Sequence, residues 1–250
     1  MAAGQLELHY QPQVDEHGRV VSAEALLRWR HPQRGMVSPL QFIAEAEACG
    51  LIHPIGAWVL GDACRQLARW ADDPVLTRLT VAVNVSAQEF RLPHYALDVL
   101  SQVAASGIDP ARLKLELTES VRVDDSDDVA AKAIALKAQG IGLSLDDFGT
   151  GYASLSYLSK LPLDQLKIDQ SFVRDVLTDA GDATIARSII GLGQSLGLTV
   201  IAEGVETAEQ RLFLAASGCR IYQGYLFSRP LPVADFEAHV RAAAAAVSPR

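Results

Sequence analysis

The sequence has little cysteine, no excess of positive charge and no long apolar run, and each shortage narrows the reading. Its three cysteines, Cys49, Cys64 and Cys219, are odd in number and far apart, with no C-x-x-C pair. That argues against a disulfide framework and fits reduced, buried thiols in a cytoplasmic compartment. Lysine and arginine total 22 against 30 aspartates and glutamates, a formal net charge of -8. A DNA or RNA polymer would call for a basic footprint, so neither is an expected partner. A small anionic ligand stays open, because carboxylates that hold metal ions also create negative charge. No uncharged apolar run reaches the roughly 18–20 residues of a membrane span, and no signal peptide opens the chain, so no membrane contact is expected within it. No linker divides the sequence, no repeat recurs, and the one low-complexity stretch is Ala242–Ala246.

What the chain does have is hydrophobic mass. Of its 250 residues, 49% are hydrophobic and 21% charged, enough for a substantial core and against disorder. Residues 1–250 read as one domain. Met1-Ala2-Ala3-Gly4 leads at once into a strand-like segment, which suggests a domain cut from a longer chain.

Short strand-like runs alternate with longer helical ones. The strand candidates are Leu6–Gln11, Val20–Leu27, Thr80–Val85, Leu113–Leu117, Ile141–Leu145, Gln165–Ile168, Thr199–Ala202 and Cys219–Tyr222. Ser38-Pro39-Leu40-Gln41 has the form of a capping box with Pro at the first helical position, opening a helix that ends near Gly50. Thr207-Ala208-Glu209-Gln210 has the same form, for a helix ending near Gly218. Ile185, Ile189, Leu192 and Leu196 recur at helical spacing, Asp128–Gln139 is helix-like, and a last helix begins near Val233. Eight strands alternating with helices predict a parallel α/β barrel. The first two runs are joined only by Val14–Arg19, too short for a crossover helix, so the first strand should run antiparallel to the second.

Active sites of α/β barrels lie at the C-terminal ends of the strands. Here those ends carry Asn84, Glu116 with Glu119, Asp146-Asp147, Lys167 with Asp169, Glu203 and Gln223, while Glu24 interrupts an apolar second strand. One aspartate at a strand end is usually a cap or turn residue. Five or six carboxylates on one rim would repel each other severely, and divalent cations relieve that repulsion. An oxygen-only donor set without His or Cys points to hard ions, Mg2+ or Mn2+. The adjacent Asp146-Asp147 pair suits a bridged two-metal site.

Other motifs fail on spacing. Gly191-Leu192-Gly193-Gln194-Ser195-Leu196-Gly197 has the wrong spacing for a dinucleotide fingerprint and lies mid-helix. Gly149-Thr150-Gly151 lacks a third glycine and follows two aspartates, and none of the six histidines forms H-E-x-x-H. Trp29, Trp58 and Trp70 suit core or rim packing better than base stacking. The Arg28-Trp29-Arg30-His31 cluster is either a solvated face or, given Glu24 nearby, a place where one Arg meets phosphate.

Glu24-Ala25-Leu26-Leu27-Arg28-Trp29 resembles the signature of EAL domains, the bacterial cyclic di-GMP phosphodiesterases. Tyr10-Gln11-Pro12, Asn84-Val85-Ser86, Glu116-Leu117-Thr118-Glu119, Asp146 through Gly151, Lys167-Ile168-Asp169, Ala202 through Glu206 and Gln223-Gly224-Tyr225 follow in family order. The resemblance implies a modified TIM barrel with its first strand antiparallel. It also implies hydrolysis of cyclic di-GMP to linear pGpG by a two-metal, in-line attack of water. On that resemblance Glu24, Asn84, Glu116 and Asp146 are ligands of a first Mg2+ or Mn2+, and Asp146, Asp147 and Glu203 of a second, with Ca2+ inhibitory. Lys167 resembles the residue that orients the attacking water. Gln11, Leu26, Arg28, Glu206, Gln223 and Tyr225 resemble substrate contacts, and Glu119 the anchor of a loop from Phe148 to about Ser156. A homodimer in the bacterial cytoplasm, within a multidomain and sometimes membrane-anchored signalling protein, is implied as well. The alternatives are a non-catalytic cyclic di-GMP receptor and an unrelated barrel phosphohydrolase.

Overall fold

A computed structural model describes residues 4–118, 126–149, 158 and 160–247. In chain order its strands are β1 (Leu6–Asp15), β2 (Val20–His31), β3 (Gly35–Val37), β4 (Thr80–Val85), β5 (Leu113–Thr118), β6 (Gly142–Phe148), β7 (Gln165–Ile168), β8 (Thr199–Ala202), β9 (Ile221–Gln223) and β10 (Leu231–Pro232). The helices are α1 (Pro39–Ala48), α2 (Ile52–Arg69), α3 (Ala87–Phe90), α4 (Tyr95–Ser106), α5 (Ser126–Ala138), α6 (Gln170–Arg174), α7 (Ala180–Ser195), α8 (Ala208–Ala216) and α9 (Val233–Val247).

The strands β1-β9-β8-β7-β6-β5-β4-β2 form a ring that the β1–β2 pairing closes, so the expected barrel forms. β1 is antiparallel to both β2 and β9, and the other ring pairs are parallel. The short connection after Asp15 forces this, because a crossover to a parallel strand needs a dozen or more residues. β1 and β2 both run beyond the expected bounds, so the hairpin joining them is tighter. β3 and β10 lie outside the ring, on β2 and β1, and carry no strong sequence pattern.

Alternation decides what each strand places where. On β5 Leu113, Leu115 and Leu117 are fully buried against the helices, whereas Glu116 faces the lumen. Where β1 runs backwards, Tyr10 packs edge-on against Trp70 with centroids 5.5 Å apart, and Phe236 of α9 stacks on Trp70 at 5.6 Å. Trp29 packs against Phe42 of α1 at 5.4 Å, and Trp58 lies against the core, so the tryptophans serve packing as expected.

The helix ends give one correction. Thr207 forms its box with Gln210 in both directions. Ser38 caps α1 without a side-chain bond: the Gln41 N–H donates to the Ser38 carbonyl, and the exposed hydroxyl is left to solvent. A third box, which the spacing Ser86-Ala87-Gln88-Glu89 marks but the sequence reading missed, forms at α3. The glycine run 191–197 lies mostly within α7; a Cβ at Gly193 would overlap Val200 of β8, so helix–strand packing explains that glycine, while Gly197 just past the helix has φ 70°.

Candidate active site

The C-terminal rim of the ring brings together nearly every expected side chain. The Lys167 ammonium, fully buried on β7, lies 2.7 Å from Glu116 Oε2, 2.7 Å from Glu203 Oε1, 3.1 Å from Asp146 Oδ2 and 3.5 Å from Glu24 Oε2. These five groups come from β2, β5, β6, β7 and the residue after β8. Register explains the meeting. Asn84 pairs with Glu116 across β4–β5, and Thr118 with Asp146 across β5–β6. Gln11 stands opposite Glu24 across the hairpin.

A layer of amides holds Glu24. Gln223 Nε2 donates to Glu24 Oε2 at 2.6 Å and to Gln11 Oε1 at 3.1 Å. Asn84 Nδ2 donates to Glu24 Oε1 at 2.6 Å. Gln13, which the sequence reading missed, donates to Gln223 Oε1 at 2.9 Å. It lies two residues from Gln11 on the same face, but only the register with Gln223 on β9 reveals its role.

In a regular strand Asp146 and Asp147 would point to opposite faces. β6 is irregular between Leu145 and Phe148, and Asp147 adopts φ 54°, a left-handed conformation unusual for a side-chain-bearing residue. The Asp147 N–H donates to Asp146 Oδ1 at 2.9 Å. Both carboxylates therefore reach the rim, and such backbone strain, of order 1–3 kcal/mol, is typical of functional sites.

Four carboxylates share one ammonium, and their protonation follows. Burial opposes the charged form of Lys167, yet Asp146, Glu116, Glu203 and Glu24 together hold its pKa well above the ordinary range. Burial pushes Glu116 up to about 8, aided by Glu24 and Asp146 and opposed by Lys167. Burial likewise raises Glu203 well above the usual carboxylate range. Asp147 rises to about 6 through burial and the charges of Asp146 and Asp169. For Glu24, burial is outweighed by Lys167, Gln223 and Asn84, and its pKa is lowered.

The ligand atoms of Glu24, Glu116 and Asp146 lie within 4.8 Å of one another, and so do those of Asp146, Asp147 and Glu203. Asp146 belongs to both groups. Among the described residues, the buried Glu116 Oε1 has no hydrogen-bond partner. The donors are all oxygen, with no imidazole or thiolate among them. A buried orphan carboxylate oxygen beside surplus, proton-seeking carboxylates fits hard divalent cations.

A groove of about 200 Å³ opens over this cluster, lined by Glu24, Asp146 and Glu203 together with Gln11, Leu26, Glu206, Gln223 and Tyr225. Gln170, Gly204 and Gly224 complete its wall. Gly204 has φ 65°, and a Cβ there would come within 2.6 Å of Gln170 Cβ, so the wall at that point admits only glycine without rearrangement. Arg28 follows Leu26 by two on the same face of β2. It is half-buried, and burial lowers its pKa against the opposing influence of Tyr225 and Glu24. Arg30 and His31 turn away: Arg30 pairs with Glu7 at 2.9 Å, and His31 accepts from the N–H groups of Gln33 and Arg34. The sequence cluster thus divides, with Arg28 alone near the groove. Arg229, unmarked in the sequence, lies over the Tyr225 ring at 4.2 Å. Glu119 lies outside the described residues.

Fold and site together define an α/β-barrel protein with a carboxylate-rich centre at the strand ends, where two groups of oxygen donors could hold metal ions. The sequence model of the EAL domain matches residues 1–230, and the chain belongs to the EAL domain family. It is 44% identical over 237 residues to the bifunctional diguanylate cyclase/cyclic di-GMP phosphodiesterase MucR of Pseudomonas aeruginosa, covering 94% of this chain and 34% of that protein. It is 43% identical to the cyclic di-GMP phosphodiesterase PdeR of Escherichia coli, covering 93% of this chain and 35% of that one. The chain thus spans about a third of the length of these curated relatives. The solved PaMucR phosphodiesterase in complex with c-di-GMP superimposes with a TM-score of 0.89 at 44% identity, covering 93% of this chain and 94% of that one. The EAL domain of Mycobacterium smegmatis DcpA gives 0.82 at 33% identity, covering 97% and 99%.

Proposed function

We propose that the chain hydrolyses cyclic di-GMP, opening one phosphodiester of the ring to leave linear pGpG. The observation that carries the reading is the shared carboxylate: Asp146 joins two oxygen-donor groups on the floor of one groove. Glu24, Asn84, Glu116 and Asp146 would hold a first Mg2+ or Mn2+, and Asp146, Asp147 and Glu203 a second. Two such ions would polarise the phosphoryl oxygens and offset charge on the leaving oxygen, and Ca2+ would inhibit.

The protein's own groups do the rest. Gln223, itself held by Gln13, keeps the Glu24 carboxylate turned toward Lys167. Lys167 keeps its proton, so an N–H group given up by one of its carboxylate partners can donate to the attacking water and hold it on the line of attack. Gln11, Leu26, Arg28, Glu206 and Tyr225 seat the nucleotide. Arg28, which stays cationic, faces a phosphate, and Glu206 accepts from a guanine edge. Glu119 anchors the loop after Phe148 in the same reading, which also takes the chain as a homodimer in the bacterial cytoplasm. The family resemblance supports both of those points.

Incubation with cyclic di-GMP and Mg2+ or Mn2+, followed by chromatography, tests the proposal. Linear pGpG is the expected product. Binding without product would favour a non-catalytic receptor, and neither binding nor product would remove cyclic di-GMP from the account. Asp146→Asn should abolish turnover, because it withdraws a charge and a ligand atom from both donor groups. Activity within tenfold of wild type under saturating Mn2+ would refute the shared role.

A further inference from the structure

Asn84 is the exception among the proposed metal ligands. The carboxylates of Glu24, Glu116 and Asp146 are buried, but Asn84 is exposed. Packing does not fix its carboxamide, so its direction depends on its bond to Glu24 and on the backbone that carries it. That backbone leaves β4 one residue later and enters α3, a helix of a single turn. A helix this short has no stability of its own and must be held from outside.

It is held at three points. Ser86 caps it, and the box is complete: the Glu89 N–H donates to Ser86 Oγ at 3.2 Å, and the Ser86 N–H donates to Glu89 Oε2 at 3.1 Å. At its other end, Lys132 of α5 donates to the carbonyls of Phe90 and Arg91 at 3.1 and 3.2 Å. Third, Glu89 is buried, 6% exposed as a residue, and its carboxyl seats on α2 at Gly56, where a Cβ would fall on the carboxyl oxygen. Gly56 has no positive φ that would call for glycine. It lies mid-helix, where glycine is unfavourable by about 1 kcal/mol relative to alanine. Space for Glu89 is the physical reason the notch exists.

We propose that Glu89 is a positioning residue for Asn84: seated in the notch at Gly56, it fastens the turn after β4 and so sets the carboxamide against Glu24. This rests on the reading of Asn84 as a metal ligand. Outer groups that orient a metal ligand are typically worth 10–100-fold in metal affinity.

The test is Mn2+ affinity by calorimetry on the chain, with melting curves and kcat and KM for cyclic di-GMP alongside. Glu89→Ala should weaken Mn2+ binding about tenfold or more. Glu89→Gln, which keeps both the shape and the accepting oxygen, should stay within about threefold of wild type. Gly56→Ala should reproduce the Glu89→Ala loss by expelling the carboxyl. The double variant Gly56→Ala/Glu89→Ala should bind no more weakly than Glu89→Ala, because an emptied notch accepts the methyl. The deciding arm is Glu89→Ala placed on Asn84→Ala. If Glu89 acts through Asn84, it adds no further loss of affinity, whereas a general structural role adds its full effect. An additive loss, or a Glu89→Ala variant that binds Mn2+ as wild type does, overturns the positioning role alone. An Asn84→Ala variant with unchanged Mn2+ affinity overturns the ligand assignment, and this proposal with it.

Discussion

Replacing Lys167 by alanine separates the two things this side chain can do. Its ammonium is fully buried and within 3.5 Å of four carboxylates, so its removal leaves them without their cation. Breaking a buried ion pair by deleting one partner typically destabilises by about 3–5 kcal/mol. For a chain of this size that is a fall in Tm on the order of 6–20 °C. The deficit should appear with chelator present. It should be larger at pH 8 than at pH 5, because protons taken up by the raised carboxyls of Glu116 and Glu203 replace part of the lost charge at low pH. Mn2+ should restore much of the Tm, and Mn2+ affinity should be no weaker than wild type, since a competitor for the same oxygens is gone. Turnover should still fall at least about 100-fold with metal and substrate saturating, the size expected for a lost orienting or charge-stabilising donor. Calorimetry for Mn2+ and cyclic di-GMP beside a chromatographic product assay decides the matter. Near-normal turnover refutes the orienting role, and lost metal binding shows that Lys167 only balances charge.

Three further outcomes follow from the same geometry. With chelator present, wild-type stability in denaturant titrations should decline as pH rises from about 4.5 toward 8. Glu116 has a folded pKa of about 8 against an ordinary 4.5, so the native state binds the extra proton in that window and loses that advantage above it; a rise there would contradict the assignment. Mn2+ should bind more weakly as pH falls from 8 to 6 and should release protons on binding, because Glu116 and Asp147 must ionise to accept it; calorimetry in buffers of different ionisation enthalpy measures the release. Gly193→Ala should lower stability by about 1–3 kcal/mol through overlap with Val200, with no change in Mn2+ affinity.

Much of this was legible in the sequence, for physical reasons. A hairpin-length connection permits only an antiparallel first strand, and carboxylates at parallel strand ends must converge once the sheet closes. Other features needed three dimensions. The Asp146-Asp147 pair reads as one patch in sequence, but both reach the rim only because β6 is irregular there and Asp147 adopts a left-handed φ. Gln13 joins the site through its register with Gln223, about two hundred residues away in the chain. The Ser38 and Thr207 boxes are equivalent as patterns, yet only Thr207 forms one, since residue type does not fix where a solvated hydroxyl turns. The S-x-x-E spacing marks Glu89 as a capping residue, but its seat depends on a missing Cβ at Gly56 on another helix, which no local pattern marks.

The central claim is that one aspartate serves two cations, and a Mn2+ titration tests it most directly. Wild type should bind two ions per chain, and Asp146→Asn should weaken both sites together. A variant that keeps one of the two sites at wild-type affinity, or a wild type that saturates with a single ion, would contradict it.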